Sequence, residues 1–451
     1  MEKTYRIIKK ITLKLLAGFM LAAVLVVDAN AGAPSLISDD QSQTLLSKII
    51  RPLFNAAGVS FDENKIFIIN DNSLNAFVTG GNYMFVHTGT LINADNINEL
   101  SGILAHETGH IAGGHIVRQQ IRIEQLQALS VASLIAAGAA AAASGRGDAA
   151  LAVMLGAQSS LINSLTSYKM QEERSADESA VKYLDATKQS PLGLKNFMKK
   201  IQNVNKLSGY EENPYFRTHP LSREREEFFN LASKNSVYKS SSPLDAEFKV
   251  VKAKLSAFLL DVNQAQKLYP KTDKSVDGKY ANAIIEYRKA NYQEALRILD
   301  DLIQKEPSNP YFYELKGQFL FESGQVKKSV TEYEKALKLK PNSKDFMLSW
   351  SHALLEAEHS KQDLQKIINT LNKVQIKSPS TTAWLLLARA YEENNQHAHM
   401  LYASAQYSFA NGNIKTAKKQ IEEALKTAPE NLKLKLNDLK NLITQKEQNG
   451  N

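Results

Sequence analysis

The hydrophobic residues of the N-terminal half follow two different periods. Residues 97–112 and 161–184 carry apolar side chains at helical spacing, which predicts a helix over each range. Short apolar stretches at residues 65–70 and 83–87 predict β-strands instead. The apolar face of the first helix is formed by Leu100, Ile103, Leu104 and Ile111. This part of the chain is therefore predicted to fold as an α+β domain.

Beyond residue 245 the pattern is helical only, and it repeats. Pro307 and Pro341 lie 34 residues apart, a third copy ends at Pro429, and the copy that ends near Pro379 carries insertions. The matched positions are Ala295 with Ser329 and Ala417, Leu299 with Tyr333, and Leu302 with Ala336 and Ala424. The period resembles the tetratricopeptide repeat and predicts an all-α solenoid over residues 245–445, with a helical bundle of coincidental spacing as the alternative.

Two segments interrupt these patterns. Serines 240–242 and Pro243 form a joint between the repeats and a first domain predicted over residues 32–240. Within that domain, residues 128–155 are rich in alanine, and each apolar half has about 16 residues or fewer, which is short for a membrane span. We expect a helical hairpin that packs on the domain, covers its cleft or lies on a membrane surface; a mobile alanine-rich loop is the alternative.

Residues 1–31 have the pattern of a secretory signal peptide. A basic start precedes the apolar run from Leu15 to Val27, and Ala29-Asn30-Ala31 fits a cleavage site between small residues. An uncleaved membrane anchor is the alternative. The chain contains no cysteine, which suits an oxidising compartment. The predicted location is the bacterial periplasm, with peripheral membrane contact through residues 128–155 left open.

Charge and length narrow the classes of function. A chain of 451 residues is predicted to form two or three domains. The formal net charge is +8, but residues 1–31 hold a surplus of three positive charges, so the remainder carries about +5. These basic residues are scattered rather than clustered. Nucleic acid is therefore not an expected partner.

The candidate chemistry lies in the first predicted helix, in the sequence His106-Glu107-Thr108-Gly109-His110. His106 and His110 are one turn apart on one helix face, where two imidazoles can hold one zinc ion. Glu107 can take a proton from a zinc-bound water, whose pKa the metal lowers to about 7. The motif predicts a zinc-dependent peptidase, whereas surface histidines on an ordinary helix are the alternative.

The third zinc ligand stays open at this point. In one extended pattern a glycine follows His106 by seven residues and a histidine by ten; Gly113 fits, but the tenth position is Ile116. His115 comes one residue early and would point about 100° away if the helix continued. We therefore expect His115 to be a structural or surface residue.

The second predicted helix offers a carboxylate instead. Glu173 and Asp177 share a face, so Glu173 could ligate zinc while Asp177 accepts a hydrogen bond from the second nitrogen of a ligand imidazole. Glu172 is the rival ligand and faces about 100° away. A solvated acidic face that includes Glu178 is the alternative.

Three motifs in this order resemble a metallopeptidase family that includes the CAAX prenyl endopeptidases and the bacterial heat-shock membrane protease. They are His106-Glu107-Thr108-Gly109-His110, then Glu173-Arg174-Ser175-Ala176-Asp177, then Thr218-His219-Pro220-Leu221 followed by Arg225. The likeness includes residues 75–77, 80–81 and 85–89, and it is greatest for periplasmic members that join the peptidase domain to tetratricopeptide repeats.

The resemblance implies a zincin-like domain with one zinc ion per chain and Glu107 as general base. The implied zinc ligands are His106, His110 and Glu173. His219 and Arg225 are expected near the open side of the metal, where they stabilise an oxyanion, or His219 occupies the fourth coordination position at rest. Misfolded or assembling outer-membrane proteins would be the substrates, and the β-barrel assembly machinery the partner.

Other functions remain to be distinguished from a peptidase. The main rival is a periplasmic chaperone or assembly adaptor with a structural zinc site, although such a site needs no base at Glu107. A membrane-anchored protease is a third hypothesis, which requires residues 1–31 to stay attached. In the peptidase hypothesis, the strand at residues 83–87 presents its edge to an extended substrate, and His87 is structural.

Overall fold

The computed structural model describes residues 35–122, 124–125, 147–208, 215, 218–238 and 242–449. The predicted signal peptide and residues 128–146 of the alanine-rich segment lie outside the described residues. The described chain divides into two units, one that ends at Leu260 and one that begins at Asp261. Among the described residues, no helix combines the length and the apolar character that a bilayer span requires.

A four-stranded mixed sheet forms one layer of the first unit. Its strands are β1 (Leu36–Ile37), β2 (Ile66–Ile69), β3 (Ala76–Thr79) and β4 (Tyr83–His87), in the spatial order β1-β2-β4-β3. β4 pairs parallel with β2 and antiparallel with β3, so both of its edges are occupied. The expectation that residues 83–87 offer a free edge to substrate is therefore wrong; the edge strand on this side of the sheet is β3.

The described part of the first unit also contains helices, of which the first three along the chain contact the sheet. The helices are α1 (Asp40–Ala57), α2 (Thr88–Asn93), α3 (Ile97–Ala112), α4 (Gly147–Ala186), α5 (Leu192–Ser208), α6 (Arg223–Asn235) and α7 (Asp245–Leu259), with a 3-10 turn at Glu63–Lys65 and further helical residues at 115–122. The helix predicted at 97–112 and the strand predicted at 83–87 are confirmed, and the helix predicted at 161–184 is part of α4.

Helix α3 lies at the centre of the first unit. Asn96 caps its N-terminus, because the Asn96 side chain accepts a hydrogen bond from the Glu99 backbone amide at 3.1 Å. The predicted apolar face is buried, and Leu100, Ile103 and Leu104 join the core formed with the sheet. This packing holds the His106–His110 turn rigidly in the protein interior.

The residues beyond the serine joint do not all belong to the repeats. The change in composition predicts that the second domain starts at residue 245, yet α7 packs on the first unit. Its Phe248, Val251 and Leu255 lie in the same core as α3. The Lys254 ammonium also pairs at 2.6 Å with Asp39, the residue that caps α1. By its packing, α7 is part of the first unit.

The described part of the second unit consists of consecutive helices, each of which packs against the next. They are α8 (Val262–Leu268), α9 (Val276–Arg288), α10 (Tyr292–Lys305), α11 (Pro310–Glu322), α12 (Val326–Leu339), α13 (Lys344–Glu356), α14 (Lys361–Lys377), α15 (Thr381–Glu393), α16 (His397–Ala410), α17 (Ile414–Thr427) and α18 (Glu430–Asn449). The predicted class, an α+β domain followed by all-α repeats, is confirmed.

The repeat register predicted from sequence coincides with burial. Every matched position is buried, and these are Ala295, Ser329 and Ala417, Leu299 and Tyr333, and Leu302, Ala336 and Ala424. The insertions expected in the copy that ends near Pro379 include a longer helix: α14 has 17 residues, whereas α10 and α12 have 14 each. Equivalent residues thus make equivalent contacts along the stack.

Candidate metal centre

Close packing of α3 on α4 brings the predicted metal ligands together. Gly109 faces Ala176, and a Cβ at residue 109 would lie 2.8 Å from the Ala176 carbonyl oxygen. Only glycine therefore allows the two helices to approach this closely. The approach places Glu173 beside His106 and His110, which lie one turn apart on α3.

Four buried side chains direct ligand atoms into one small volume. They are His106, His110, Glu173 and His219, whose ligand atoms all lie within 4.8 Å of one another. The His106 Nε2 atom is 3.0 Å from His110 Nε2 and 3.3 Å from His219 Nδ1. The Glu173 carboxylate is 3.3 Å from His110 Nε2 and 3.4 Å from His106 Nε2. It is also 3.0 Å from His219 Nδ1.

These separations fit a tetrahedral metal ion. Zinc ligands at about 2.0–2.1 Å from the ion stand about 3.3 Å from each other in a tetrahedron. Five of the ligand separations are 3.0 to 3.4 Å, close to that spacing, and Glu173 approaches His110 and His219 with Oε1 and His106 with Oε2. Three imidazole nitrogens and one carboxylate oxygen are donors that zinc accepts. The site can therefore hold one metal ion.

Asp177 and Arg225 lie outside the ligand cluster and contact two of its members. The His106 Nδ1 atom lies 2.8 Å from Asp177 Oδ1, which orients the ring so that Nε2 faces the cluster. Arg225 donates from Nε and Nη2 to Asp177 at 2.6 and 2.9 Å, and its Nη1 lies 2.9 Å from Glu173 Oε2. One buried network thus fixes both a histidine and the carboxylate.

The geometry of Arg225 differs from the expected oxyanion role. Its Nη1 also donates to the Pro220 carbonyl oxygen at 2.7 Å, and the residue is only 6% exposed. The guanidinium is directed to the carboxylates of Asp177 and Glu173, which together compensate its charge. In this structure the side chains of Arg225 and Asp177 are directed at the candidate ligands Glu173 and His106.

Glu107 differs from the candidate ligands in its hydrogen bonding. It is fully buried, and neither carboxylate oxygen has a hydrogen-bond partner among the described residues. The Nε2 atom of His219 lies 3.5 Å from Glu107 Oε1. Burial raises the pKa of Glu107 to about 7, although the neighbouring histidines oppose the shift. The carboxyl group can therefore gain and lose a proton near neutral pH.

The charges of the cluster favour a bound cation. Burial alone would raise the pKa of Glu173, but His219 and the other histidines lower it well below its usual range. Burial also opposes a charge on His106, yet Asp177 and Glu173 raise the pKa of His106 to about 10. A metal ion would replace the proton on His106, so metal binding is expected to release a proton.

The two rival ligands lie outside the cluster. Gly114 has a φ of +64°, which redirects the chain after α3, so the condition that the helix continues through His115 is not met. His115 instead packs against the back of His110, with the two Nδ1 atoms 2.8 Å apart. Glu172 lies 3.6 Å from Arg118.

The sequence pattern did not identify Tyr215, which lies beside the cluster, and it assigned a structural role to His87. Tyr215 was not singled out, although its fully buried ring stacks on His219 with ring centroids 4.6 Å apart. An aromatic residue four positions before a candidate histidine was the available signal. His87 was expected to be structural, and its Nδ1 lies 2.8 Å from Ser73 Oγ, outside the cluster.

A buried histidine pair on a helix, with a glutamate next to the first histidine and a carboxylate from a second helix, is typical of a metallopeptidase. Residues 40–229 match the model of peptidase family M48, and residues 280–344 match a tetratricopeptide repeat model. The first unit is therefore similar to peptidase family M48, and the chain is a metalloprotease that carries tetratricopeptide repeats.

Several curated proteins are similar to this chain. The β-barrel assembly-enhancing protease of Yersinia pestis is 21% identical over 432 residues, which cover 89% of this chain and 87% of that protein. The protein of the same name from Escherichia coli (strain K12) is 22% identical over 388 residues, 83% of this chain and 77% of that protein. Metalloprotease YcaL of the same strain is 27% identical over 205 residues, 44% of this chain and 75% of that protein.

Proposed function

We propose that this chain is a periplasmic zinc endopeptidase that acts in the quality control and assembly of outer-membrane proteins. The observation that carries the proposal is the convergence of four buried ligand atoms beside the buried Glu107 carboxylate, whose oxygens accept no hydrogen bond from the described residues. The cellular role is supported by the relatives named β-barrel assembly-enhancing protease, which align with most of this chain. The signal-peptide pattern of residues 1–31 supports export.

One zinc ion per chain would be held by His106, His110 and Glu173. When bound, zinc supplies a Lewis acid that polarises the substrate carbonyl and lowers the pKa of a coordinated water. Glu107 accepts the proton of the attacking water and donates it to the leaving amine nitrogen. Its raised pKa, about 7, suits both transfers. Asp177 and Arg225 keep the ligands in position and take no part in the proton transfer.

The sheet suggests how an extended substrate binds. Main-chain hydrogen bonds to a strand edge are tolerant of sequence, as a quality-control protease requires. β3 is the edge strand next to β4, and its backbone groups on the outer side have no strand partner in the described sheet. β3 also packs near α3, which carries His106 and His110. We therefore assign substrate pairing to residues 76–79.

Replacement of Glu107 tests the proposed chemistry. Glu107→Gln should lower cleavage of a generic unfolded protein by at least about a hundredfold, because the amide cannot accept the proton. Bound zinc should stay at the wild-type level, since Glu107 is not among the ligands. Both quantities are measured on the purified full chain.

Glu172→Gln is the matched control for this replacement. Glu172 is also a buried glutamate and precedes Glu173 in the chain, but it lies outside the ligand cluster. This variant should keep both zinc and activity. If Glu107→Gln cleaves at the wild-type rate, Glu107 is not the general base and the proposed mechanism is incorrect.

A chaperone or adaptor with a structural zinc site is a second candidate. The observation that favours it is His219, whose Nδ1 stands at the fourth corner of the cluster. Structural zinc sites are closed by four protein ligands, whereas catalytic sites keep one position open. If zinc-loaded wild-type protein and its Glu107→Gln variant support outer-membrane protein assembly equally well in cells, this second function is the correct one.

A further inference from the structure

The candidate ligands His106 and Glu173 each contact a charged side chain that lies outside the ligand cluster. His110 contacts another histidine there instead. Asp177 contacts His106, and Arg225 contacts Glu173. Among the described residues, the hydrogen-bond partner of His110 Nδ1 is His115 Nδ1, at 2.8 Å. A histidine that holds a histidine ligand is unusual, because a carboxylate or a carbonyl oxygen commonly takes this place.

The hydrogen-bonding direction follows from the ligand role of His110. Its Nε2 faces the cluster, 3.0 Å from His106 Nε2, so Nε2 must be unprotonated to ligate a metal. The proton of the neutral ring is then on Nδ1, which donates to His115. His115 accepts through its own Nδ1 and carries its proton on Nε2. The two imidazoles meet edge to face, with centroids 4.8 Å apart.

The backbone is arranged to put His115 in this place. Gly114, with a φ of +64°, turns the chain back after α3. Gly113 makes room for the ring, because a Cβ at residue 113 would lie 2.3 Å from His115 Nε2. His115 is 1% exposed, and its Nε2 has no hydrogen-bond partner among the described residues. An apolar side chain could fill the same space without burying an unpaired polar atom, so the bond at Nδ1 is what histidine adds here.

We propose that His115 is a positioning residue that fixes the tautomer and the ring orientation of His110 and so tightens metal binding. Loss of such a partner typically weakens metal affinity by about 10- to 100-fold. The inference rests on the metal centre under Proposed function, and it assigns His115 no contact with the metal or the substrate.

Two amide substitutions distinguish the nitrogens of His115. In His115→Asn the side-chain oxygen can occupy the position of Nδ1 and accept from His110, whereas the amide of His115→Gln corresponds to Nε2. His115→Asn should bind zinc within about threefold of the wild-type dissociation constant, and His115→Gln should bind about 10- to 100-fold more weakly. Zinc affinity is measured on the full chain by competition with a chelator, and the rate of zinc loss is followed in the same samples.

Controls separate this role from a purely structural one. His87→Asn replaces another buried histidine, outside the cluster, and should leave zinc affinity unchanged. In zinc-loaded protein, His115→Gln should lower kcat with KM nearly unchanged, because the substrate contacts remain. Thermal unfolding of the metal-free proteins shows whether each variant is folded.

The outcomes distinguish failure of this inference from failure of the proposed function. If the wild-type chain does not bind zinc tightly, or binds it equally well without His106 and His110, the proposed metal centre is incorrect and the inference falls with it. If the wild-type chain binds zinc but His115→Asn and His115→Gln have equal affinities, the metal centre stands and the role of His115 is refuted.

Discussion

At the scale of single residues, the candidate metal ligands differ in how firmly their neighbours hold them in place. His106 and Glu173 are tied into ionic contacts with Asp177 and Arg225. His219 has a weaker attachment, since a stacked Tyr215 ring is its neighbour outside the ligand cluster and its backbone amide bonds to the Tyr215 carbonyl. A ligand held in this way is the one that can leave the fourth position to admit water or substrate.

Removal of His219 should therefore release the enzyme from a resting state. His219→Ala is expected to raise cleavage of an unfolded protein roughly tenfold, a lowering of the barrier of about 1.4 kcal/mol, because the fourth position is then open. Zinc affinity should decrease, since a fourth ligand is lost.

Tyr215→Leu is the companion variant for His219. It keeps the imidazole but removes the stacked ring, so it should show a smaller increase in cleavage. Cleavage rate and zinc affinity are measured for both variants. A decrease in turnover with zinc retained would assign His219 to oxyanion stabilisation instead.

At the scale of elements, the repeats reuse one turn with different residues. Ala290, Gly324 and Gly412 occupy equivalent positions between paired helices, and all three have φ between 61° and 80°. The next residue in each turn donates its amide to the carbonyl oxygen five residues before it, as in Gln325 to Leu320 at 2.8 Å. Glycine adopts this conformation without cost, whereas alanine is strained in it.

Ala290→Gly should therefore stabilise the repeat unit. Relief of the left-handed conformation is worth about 1–2 kcal/mol, and the added freedom of glycine in the unfolded chain removes about 0.5–1 kcal/mol. The expected net gain in the free energy of unfolding is about 1 kcal/mol or less, measured by urea denaturation.

Gly324→Ala is the reciprocal control. Nothing lies within 4 Å of a Cβ at residue 324, so the expected loss of about 1 kcal/mol comes from backbone strain alone. If both substitutions leave the denaturation midpoint unchanged, the turns tolerate either residue and the strain argument is incorrect.

At the scale of the whole molecule, the first unit extends beyond the predicted joint. Phe248, Val251 and Leu255 of α7 are buried in the core that contains α3. Each side chain contributes about 1.5–3 kcal/mol by its burial. Lys254 is also needed, because without it Asp39 is left buried with its charge unpaired by an ammonium.

A chain that ends at Leu260 should consequently fold, bind zinc and cleave a generic unfolded protein, whereas a chain that ends at Ser240 should not be stable. The lost burial, about 5 kcal/mol or more, is comparable with the whole stability of a typical domain. Zinc content and urea denaturation of the two chains provide the measurement. Equal denaturation midpoints would show that α7 is dispensable.

The chain that ends at Leu260 also provides a test of the role of the repeats, because it lacks them. Residues 261–451 contain no group of histidines and carboxylates that could hold a metal within the described residues. Stacked repeats commonly provide binding surfaces for proteins. We expect this shortened protease to lose association with the outer-membrane assembly machinery, as measured by pull-down from cells. Retained association would place the partner surface on the first unit.

Much of the protein was predictable from local and periodic signals. The helix at 97–112, the strand at 83–87 and the 34-residue register follow from the spacing of residue types along the chain, so the sequence by itself determined them. The pairing of His106 with His110 follows from four-residue spacing on one helix.

Other features were decided only by contacts between distant segments. His106 and His219 are separated by 113 residues, and the inclusion of Glu173 rather than Glu172 depends on how α4 faces α3. The central place of β4 depends on a parallel partner that local periodicity does not identify. His115 reaches His110 because a left-handed Gly114 reverses the expected direction, a conformation that glycine permits but does not specify. The local sequence does not distinguish between these alternatives, because their local energies are similar. Contacts between distant segments select one of them, so the complete site is apparent only in the tertiary structure.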